Sequence, residues 1–314
     1  MQRVLVIGAS GFLGRHVALG LLERRYAVRA SARNVARVRD VAKAGCEIVS
    51  ADITDATSLG EALASIDAVY LCIYTLAPQR AEASGRGFMD VELAGLRNVV
   101  AACTSQGVRR LIYVTLLGAS ADAPSEWIRG RWAAEQLLLQ SGLDVTVIRP
   151  GQVVGRGGLG FDTMVRQAKN PIRIDPFGSG RQRMRNIALD DLMYYLIGVL
   201  EDSRTFGRCY DVGCDDVLTH DQMIDVAAEV LGRRRPLKIE LPRSLVRSFS
   251  PLVEKVMRLP RGAVEGVIDS FASDMVGDPL PIRAILPRPP LSYRQAIERA
   301  LRPGEDEAVK RPRR

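Results

Sequence analysis

The sequence has few of the residues that build disulfide frameworks and metal centres. Among 314 residues there are five cysteines and two histidines, and no Cys-x-x-Cys pair occurs. The cysteines are Cys46, Cys72, Cys103, Cys209 and Cys214, and the histidines are His16 and His220. Because the cysteines are scattered and odd in number, neither a disulfide scaffold nor a zinc site is expected. We expect reduced, mostly buried thiols and no metal.

Long apolar runs are also missing. No apolar stretch reaches the roughly 18 residues that a membrane-spanning helix needs. Near the N-terminus, residues 8–14 interrupt the first apolar run and a helical pattern follows, which is not the pattern of a signal peptide. We therefore expect a cytoplasmic protein without a membrane partner.

The net charge of +8 is not concentrated in one folded segment. The densest basic cluster, residues 310–314, follows the acidic residues of 304–307, and this composition predicts a disordered basic tail over residues 303–314. A solvated surface and an anionic cofactor account for the charge, so no nucleic-acid partner is expected. We expect a small-molecule substrate and leave a homodimer open.

Strand-like and helix-like patterns alternate strictly through the first half of the chain. Strands are predicted near residues 4–7, 27–31, 47–50, 68–73, 111–115 and 145–148, and helices near 12–25, 35–44, 57–64, 87–106 and 127–141. Valine- and isoleucine-rich runs without alternation indicate strands buried on both faces, and strict alternation indicates right-handed crossovers. Residues 1–150 are therefore predicted to form an α/β domain, a Rossmann-type doubly wound parallel sheet.

After Pro150 the pattern becomes irregular. Loops rich in glycine and proline surround short elements, including a strand at 209–212 and a helix from 221 that Thr219 caps. We predict that residues 151–302 form a smaller C-terminal substrate lobe on the carboxyl edge of the sheet.

Three glycines follow the first predicted strand at regular spacing. Gly8 would allow a tight turn, Gly11 would let the backbone approach a pyrophosphate, and Gly14 would let the helix pack closely on the strand. The helix that opens there offers free N–H groups to phosphates. Three other residues of this turn, Ser10, Phe12 and Leu13, are also predicted to bind the cofactor.

The end of the second predicted strand indicates which dinucleotide binds. NAD-binding proteins usually place a carboxylate there for the ribose 2′-hydroxyl, but this chain has Arg33, with Arg37 and Arg39 following. A guanidinium suits a 2′-phosphate. We predict NADP(H) in preference to NAD(H); the alternative is that Arg33 is a solvated surface charge.

Other cofactor contacts are predicted after the later strands. Asp52 would accept from the adenine amino group with Ile53 against the ring, unless Asp52 is a plain turn residue. Pro150 and Gln152 would lie near the nicotinamide, with a structural turn as the alternative. Cys72, at the end of the fourth predicted strand, completes the predicted set.

Five motifs occur in a characteristic order: G-A-S-G-F-L-G, S-A-R, A-D-I-T-D, Y-V-T-L-L-G-A and V-I-R-P-G-Q-V-V-G. Over residues 1–235 the chain resembles the short-chain dehydrogenase/reductase superfamily, and more narrowly its atypical, NmrA-like NAD(P)H-binding members. Near the C-terminus, D-P-L-P-I-R-A-I-L-P-R-P-P-L-S-Y-R-Q-A-I-E-R-A-L resembles a bacterial subgroup named as nucleoside-diphosphate-sugar epimerases. The resemblance implies a Rossmann fold and an NAD(P)H cofactor but specifies no reaction.

The chain departs from the superfamily at the catalytic dyad. Ordinary members use a Tyr-x-x-x-Lys pair on a helix and a serine or threonine at the end of strand five. Here Trp127 and Arg131 take the dyad positions, and Thr115 lies at the strand end. An indole is no acid or base at neutral pH, and an arginine stays charged, although Arg131 could hold ribose hydroxyls.

The missing dyad leaves the proton donor and the function open. Tyr74, after the fourth strand, is the candidate donor, with loop packing as its alternative; Thr115 and Arg131 complete the candidate catalytic set. One hypothesis is an NADP(H)-dependent oxidoreductase of a small organic substrate. The other is a dinucleotide-binding redox sensor or scaffold with little or no turnover.

Overall fold

The structure, a computed structural model, describes residues 2–73, 88–175, 180–241, 243–257 and 263–302. Tyr74 and the predicted basic tail of residues 303–314 lie outside these ranges.

Strands and helices alternate over residues 3–150 of the described chain, and the order is less regular after them. The strands are β1 (Arg3–Ile7), β2 (Ala27–Ala32), β3 (Glu47–Ser50), β4 (Ala68–Leu71), β5 (Arg110–Val114), β6 (Asp144–Pro150), β7 (Gln152–Val154), β8 (Ile172–Asp175), β9 (Arg183–Ala188), β10 (Arg208–Val212), β11 (Val217–Thr219) and β12 (Leu237–Glu240). The helices are α1 (Phe12–Glu23), α2 (Arg39–Lys43), α3 (Ala56–Leu63), α4 (Phe88–Ser105), α5 (Glu126–Leu139), α6 (Leu159–Lys169), α7 (Leu189–Gly198), α8 (His220–Val230), α9 (Arg243–Met257), α10 (Ala263–Ser270), α11 (Leu280–Ile285) and α12 (Tyr293–Leu301).

The chain divides into two compact units that are discontinuous in sequence. The sheet unit contains Met1–Leu116, Gly130–Arg149 and Met193–Tyr210, and the second unit contains Leu117–Arg129, Pro150–Leu192 and Asp211–Arg314. The sequence placed a single boundary at residue 150. The chain does change unit there, but it also crosses between the units at four other points.

The central sheet has seven strands in the order β10-β6-β5-β4-β1-β2-β3. The pairings from β3 to β6 are all parallel, and β4 and β5 are buried along their whole length. The predicted Rossmann-type doubly wound sheet is therefore confirmed. Strand order reverses between β1 and β4, and such a reversal forms a crevice at the carboxyl ends of the strands where ligands bind.

One strand lies in the central sheet and not in the substrate lobe, where the sequence predicted it. Residues 209–212 were assigned to the substrate lobe, but β10 takes the edge position beside β6 in the central sheet. This edge pairing joins segments far apart in the chain, and a short strand carries no local signal of its distant partner.

The second unit is built on two small sheets and a helical layer. One sheet has the order β11-β9-β7, and the other pairs β8 with β12 in parallel. Buried side chains of α6, α8 and α12 form one core cluster, including Phe161, Ile224 and Ile297. The predicted cap is confirmed, because the Thr219 side chain accepts from the Gln222 N–H at 3.2 Å at the start of α8.

A buried ion pair joins three elements of the sheet unit. The Arg131 Nη1 atom on α5 lies 2.5 Å from the Glu92 Oε1 atom on α4, and both side chains have no exposed surface. The Tyr113 hydroxyl on β5 donates to the same Glu92 oxygen at 3.2 Å and accepts from Arg131 at 3.3 Å. Burial raises the pKa of Tyr113 above its ordinary value, so its phenol stays protonated.

We expect Glu92→Gln to lower the free energy of unfolding by about 3–5 kcal/mol, because it removes the negative charge that Arg131 faces inside the core. The matched control is Glu47→Gln, which alters an exposed carboxylate 2.8 Å from Arg29 and should cost at most about 1 kcal/mol. Chemical denaturation at fixed pH and salt measures both losses. Equal losses would contradict a structural role for the buried pair.

Candidate dinucleotide-binding site

Gly8 lets the end of β1 pack directly against the end of β4. Its φ of +89° lies in the left-handed region that favours glycine. A Cβ atom there would stand 2.5 Å from the Cys72 carbonyl oxygen, which real structures do not tolerate. The Cys72 N–H also donates to the Ile7 carbonyl at 2.9 Å. The turn therefore begins inside the crevice between β1 and β4.

Gly14 lets α1 approach this turn. A Cβ atom at Gly14 would overlap the Gly8 carbonyl oxygen and lie 2.7 Å from the Gly8 carbonyl carbon. The Gly11 N–H donates to the same carbonyl at 3.0 Å. Packing inside the protein thus explains two of the three glycines.

Gly11 has a different environment. Its φ of −84° and ψ of 168° are ordinary for any residue, and an added Cβ would meet only the Gly8 oxygen, at 3.3 Å. It is the N-cap of α1, whose first turn has no side-chain cap and no acidic residue. The backbone angles do not demand glycine here, and the added Cβ would be tight but less crowded than at Gly8 or Gly14. The missing side chain also fits close approach by a pyrophosphate to the helix N-terminus.

The neighbouring residues of the turn vary in exposure. Ser10 is exposed, whereas Phe12 and Leu13 are half-buried. The Phe12 ring packs edge-on against His16 with a centroid distance of 4.8 Å. Their predicted contacts with a cofactor stay predictions.

Arg33 directly follows β2, and its side chain is exposed. Beside it, Ser31 is fully buried, and its Oγ atom has no hydrogen-bond partner within the described part of the chain. Ser31 pairs with Ile7 in the sheet, and its carbonyl accepts from the Ala9 N–H at 3.2 Å. The end of β2 therefore lies next to the glycine turn, where the sequence predicted recognition of a 2′-phosphate.

The hydrogen bonds of the Asp52 carboxylate are those of a turn residue. Its Oδ1 atom accepts from the Thr54 N–H at 2.9 Å and from the Thr54 hydroxyl at 2.8 Å. Ile53 is half-buried against the core, and its carbonyl accepts from the Asn98 side chain at 3.0 Å. The turn interpretation thus has observed contacts, while the adenine contact stays a prediction.

Cys72 is half-buried at the end of β4. Burial raises the pKa of its thiol to about 12, so the group is neutral and a poor nucleophile. Any role in cofactor binding is therefore one of packing.

The three candidate catalytic residues differ in what the structure describes of them. Thr115 follows β5 and is buried, and its Oγ1 atom has no hydrogen-bond partner among the described residues. Arg131 makes the buried contacts with Glu92 and Tyr113 given above, so its observed partners lie in the core and its ribose contact stays a prediction. Tyr74 lies outside the described residues.

The two residues predicted near the nicotinamide belong to the second unit. The Pro150 carbonyl, at the end of β6, accepts from the Leu117 N–H at 3.2 Å. The Gln152 Nε2 atom lies 3.4 Å from the position of a Cβ added at Gly160. The Gln152 amide therefore lies against the first turn of α6, and its nicotinamide contact stays a prediction.

Sequence reasoning placed Ser31 beside Arg33 as a second contact for a 2′-phosphate but did not predict that its hydroxyl is buried without a partner in the described chain. It missed Glu92 and Tyr113 as partners of Arg131. Ser31 interrupts the apolar pattern of β2, and Glu92 stands one residue before the apolar Leu93. A polar residue beside or within an apolar stretch was the sequence signal that could have identified Ser31 and Glu92.

We expect Gly11→Val to weaken dinucleotide binding by at least about tenfold, or 1.4 kcal/mol, while the fold is retained. The backbone angles of Gly11 suit any residue, and its added Cβ would lie 3.3 Å from the Gly8 oxygen. The branched group would occupy the space predicted for the pyrophosphate. Gly60→Val is the control, since Gly60 lies in α3 with no atom near its added Cβ. Calorimetric titration showing unchanged affinity for Gly11→Val would exclude the phosphate cradle.

Comparison with known proteins gives a family match. A family model described as NAD(P)H-binding matches residues 8–171, more than half of the chain. That match begins at Gly8, the first glycine of the turn.

Two curated relatives illustrate the range of similar proteins. The chain is 24% identical over 276 residues to the mitochondrial NADH dehydrogenase [ubiquinone] 1 alpha subcomplex subunit 9 of Dictyostelium discoideum, covering 86% of this chain and 75% of that protein. It is 26% identical over 150 residues to the NAD(P)H azoreductase of Xenophilus azovorans, covering 47% of each protein. The matches span less than half the length of several curated relatives.

A solved structure shows the same fold over nearly the whole chain. The NADPH-dependent quinone oxidoreductase of Escherichia coli, complexed with NADPH, superposes with a TM-score of 0.74 at 20% identity and covers 95% of this chain and all of the other. Together with the family match, this likeness confirms the resemblance to atypical short-chain dehydrogenases/reductases; the narrower NmrA-like resemblance stays an expectation. The chain belongs to the NAD(P)H-binding protein family.

Proposed function

We propose that the protein is an NADP(H)-dependent oxidoreductase that acts on a small organic substrate without a Tyr-x-x-x-Lys dyad. The observation that carries the proposal is Gly11 at the N-terminus of α1, which lacks a side chain although its backbone angles suit any residue and its added Cβ would be less crowded than at Gly8 or Gly14. Similarity to an azoreductase and to the fold of a quinone oxidoreductase supports reductase chemistry. We further expect a cytoplasmic location.

The residues at the end of β2 would select the phosphorylated cofactor. The exposed Arg33 guanidinium can pair with a 2′-phosphate, and the buried Ser31 hydroxyl would gain a hydrogen bond that it lacks within the described chain. No carboxylate follows β2 that could accept from the 2′-hydroxyl of NAD.

Chemistry at the substrate needs a hydride and a proton. The bound dinucleotide would supply the hydride. Thr115 would place its hydroxyl, which has no hydrogen-bond partner among the described residues, at the carboxyl end of β5, where substrates of parallel sheets bind. The proton would come from Tyr74, from water or from the substrate itself, since Trp127 has no acidic group of use at neutral pH.

The second candidate function is a dinucleotide-binding redox sensor or scaffold with little or no turnover. The observation that favours it is Arg131, which takes the place of the catalytic lysine but is fully buried against Glu92. Similarity to a subunit of NADH dehydrogenase gives this function a second support.

Turnover separates these two functions. Cofactor binding would first be established by calorimetry. NADPH oxidation would then be followed by the cofactor's own absorbance at 340 nm, with a panel of quinones and azo dyes as substrates. Reduction of any member supports the oxidoreductase. Tight NADPH binding with no oxidation across the panel would favour the sensor or scaffold.

We predict that NADPH binds roughly 10- to 100-fold more tightly than NADH, because a charge-assisted hydrogen bond contributes about 1.5–3 kcal/mol. Arg33→Asp should weaken NADPH binding most, since it adds repulsion to the loss of a partner. Arg97→Asp makes the same charge change on an exposed residue of α4 and controls for overall charge. Fluorescence titration at moderate salt measures all affinities.

Equal affinities of the parent for NADH and NADPH, unmoved by Arg33→Asp, would return Arg33 to the solvated surface. A loss of the same size in Arg97→Asp would show that net charge, not position, is responsible.

We expect Tyr74→Phe to lower turnover by roughly 10²–10⁴ if Tyr74 is the general acid, with cofactor affinity kept. Tyr26→Phe is its control, because the Tyr26 hydroxyl donates to Glu201 at 3.0 Å and lies on no candidate catalytic strand end. Thr115→Val should lower turnover without lowering stability, since the hydroxyl has no partner to lose in the described chain. Parent rates in both Tyr74→Phe and Thr115→Val would exclude the two residues from the chemistry.

A further inference from the structure

Helix α9 in the second unit presents an apolar stripe to solvent. The stripe consists of Leu245, Phe249, Leu252 and Val256, which are between 47% and 74% exposed. Their spacing of four, three and four residues places them on one face of the helix. In most surface helices such a face is turned toward the core.

The opposite face of α9 fixes this orientation. Ser250 and Glu254 are buried, and a Glu254 oxygen accepts from the Val264 N–H at 3.0 Å. Arg247 pairs with Asp269 at 2.9 Å. Because polar contacts hold the inner face, the apolar stripe is held outward.

The small sheet of β8 and β12, which ends two residues before α9, shows the same inversion. Its outer face consists of Ile172, Ile174, Leu237 and Ile239, which are between 42% and 64% exposed. On β8 the alternate residues, Arg173 and Asp175, are buried and paired with each other at 3.3 Å. Alternation normally places apolar residues inside and charged residues outside.

The charge around these two faces is positive. Residues 233–257 contain seven basic and two acidic residues. Three of these basic residues are paired with acids: Arg235 with Glu229, Lys238 with Asp225 and Arg247 with Asp269. Arg233 and Arg234, just before β12, are exposed. Lys255 is exposed next to the stripe on α9.

We propose that the outer faces of α9 and of the β8–β12 sheet, together the basic apolar surface, dock the protein on an anionic lipid surface. An amphipathic helix with exposed apolar residues and basic neighbours lies in the interface of a bilayer and is attracted by anionic headgroups. Charge decides against a second copy of the chain, because a two-fold contact would place this basic surface against itself.

This surface is distinct from the glycine turn, and the proposal does not depend on the cofactor. No helix in the described ranges is long and apolar enough to cross a membrane. The proposal agrees with this finding, because an interfacial helix lies on the bilayer and does not span it. The sequence expectation of no membrane partner rested on the absence of a spanning segment.

The test is co-sedimentation of the full chain with vesicles. We expect binding to an equimolar mixture of phosphatidylcholine and phosphatidylglycerol, and little binding to phosphatidylcholine alone. The double variant Phe249→Ser/Leu252→Ser should lower the bound-to-free ratio at least about tenfold, as expected for lost burial of apolar area. The control Leu159→Ser/Leu280→Ser removes two exposed leucines of the same unit that lie outside this surface and should bind like the parent.

Lys255→Glu should weaken binding to the anionic vesicles and leave circular dichroism unchanged. In Phe249→Trp, brominated anionic lipid should quench fluorescence beyond the quenching seen in the parent, which contains two tryptophans.

Three results would overturn the proposal. They are no binding to anionic vesicles, equal binding to neutral vesicles, and unchanged binding of Phe249→Ser/Leu252→Ser. A concentration-dependent dimer in sedimentation velocity, dissociated by that variant and without vesicle binding, would instead assign the surface to a second copy.

Discussion

The close contact between the end of β1 and the end of β4 governs the architecture of the candidate site. Gly8 can make it only because it has no side chain and adopts a positive φ. The contact brings the first turn of the chain into the crevice where strand order reverses, and Gly14 then brings α1 onto the same turn. With both positions committed to packing, Gly11 is the glycine of this turn whose missing side chain the proposed dinucleotide would use most directly.

The sequence predicted the features that depend on residues close together in the chain. The parallel sheet follows from apolar runs without alternation, the glycine turn from spacing after a strand, and the cap of α8 from Thr219. Features that join distant segments were not predictable in this way. β10 pairs with a strand far earlier in the chain, and nothing near residue 131 indicates that its charge meets Glu92.

The inverted pattern of β8 was equally hard to interpret. Alternation of Ile172, Arg173, Ile174 and Asp175 reads as a half-buried strand with its isoleucines inside. The structure buries the charged pair instead. Hydrophobic periodicity determines that a strand has two different faces, but it does not determine which of them meets the core when buried charges can pair.

The sheet unit contains two kinds of buried polar group: those that pair within the core and those that have no partner in the described chain. Arg131 and Glu92 pair with each other inside the core, and the Tyr113 hydroxyl bonds to both. Ser31 and Thr115 are buried at the carboxyl ends of β2 and β5 without hydrogen-bond partners in the described chain. A buried hydroxyl that finds no partner in protein, water or ligand costs about 1–3 kcal/mol. Both lie at the strand ends where a doubly wound sheet binds its ligand. A dinucleotide or substrate that supplied hydrogen-bond partners to these two hydroxyls would offset that cost on binding, so both residues would favour the complex.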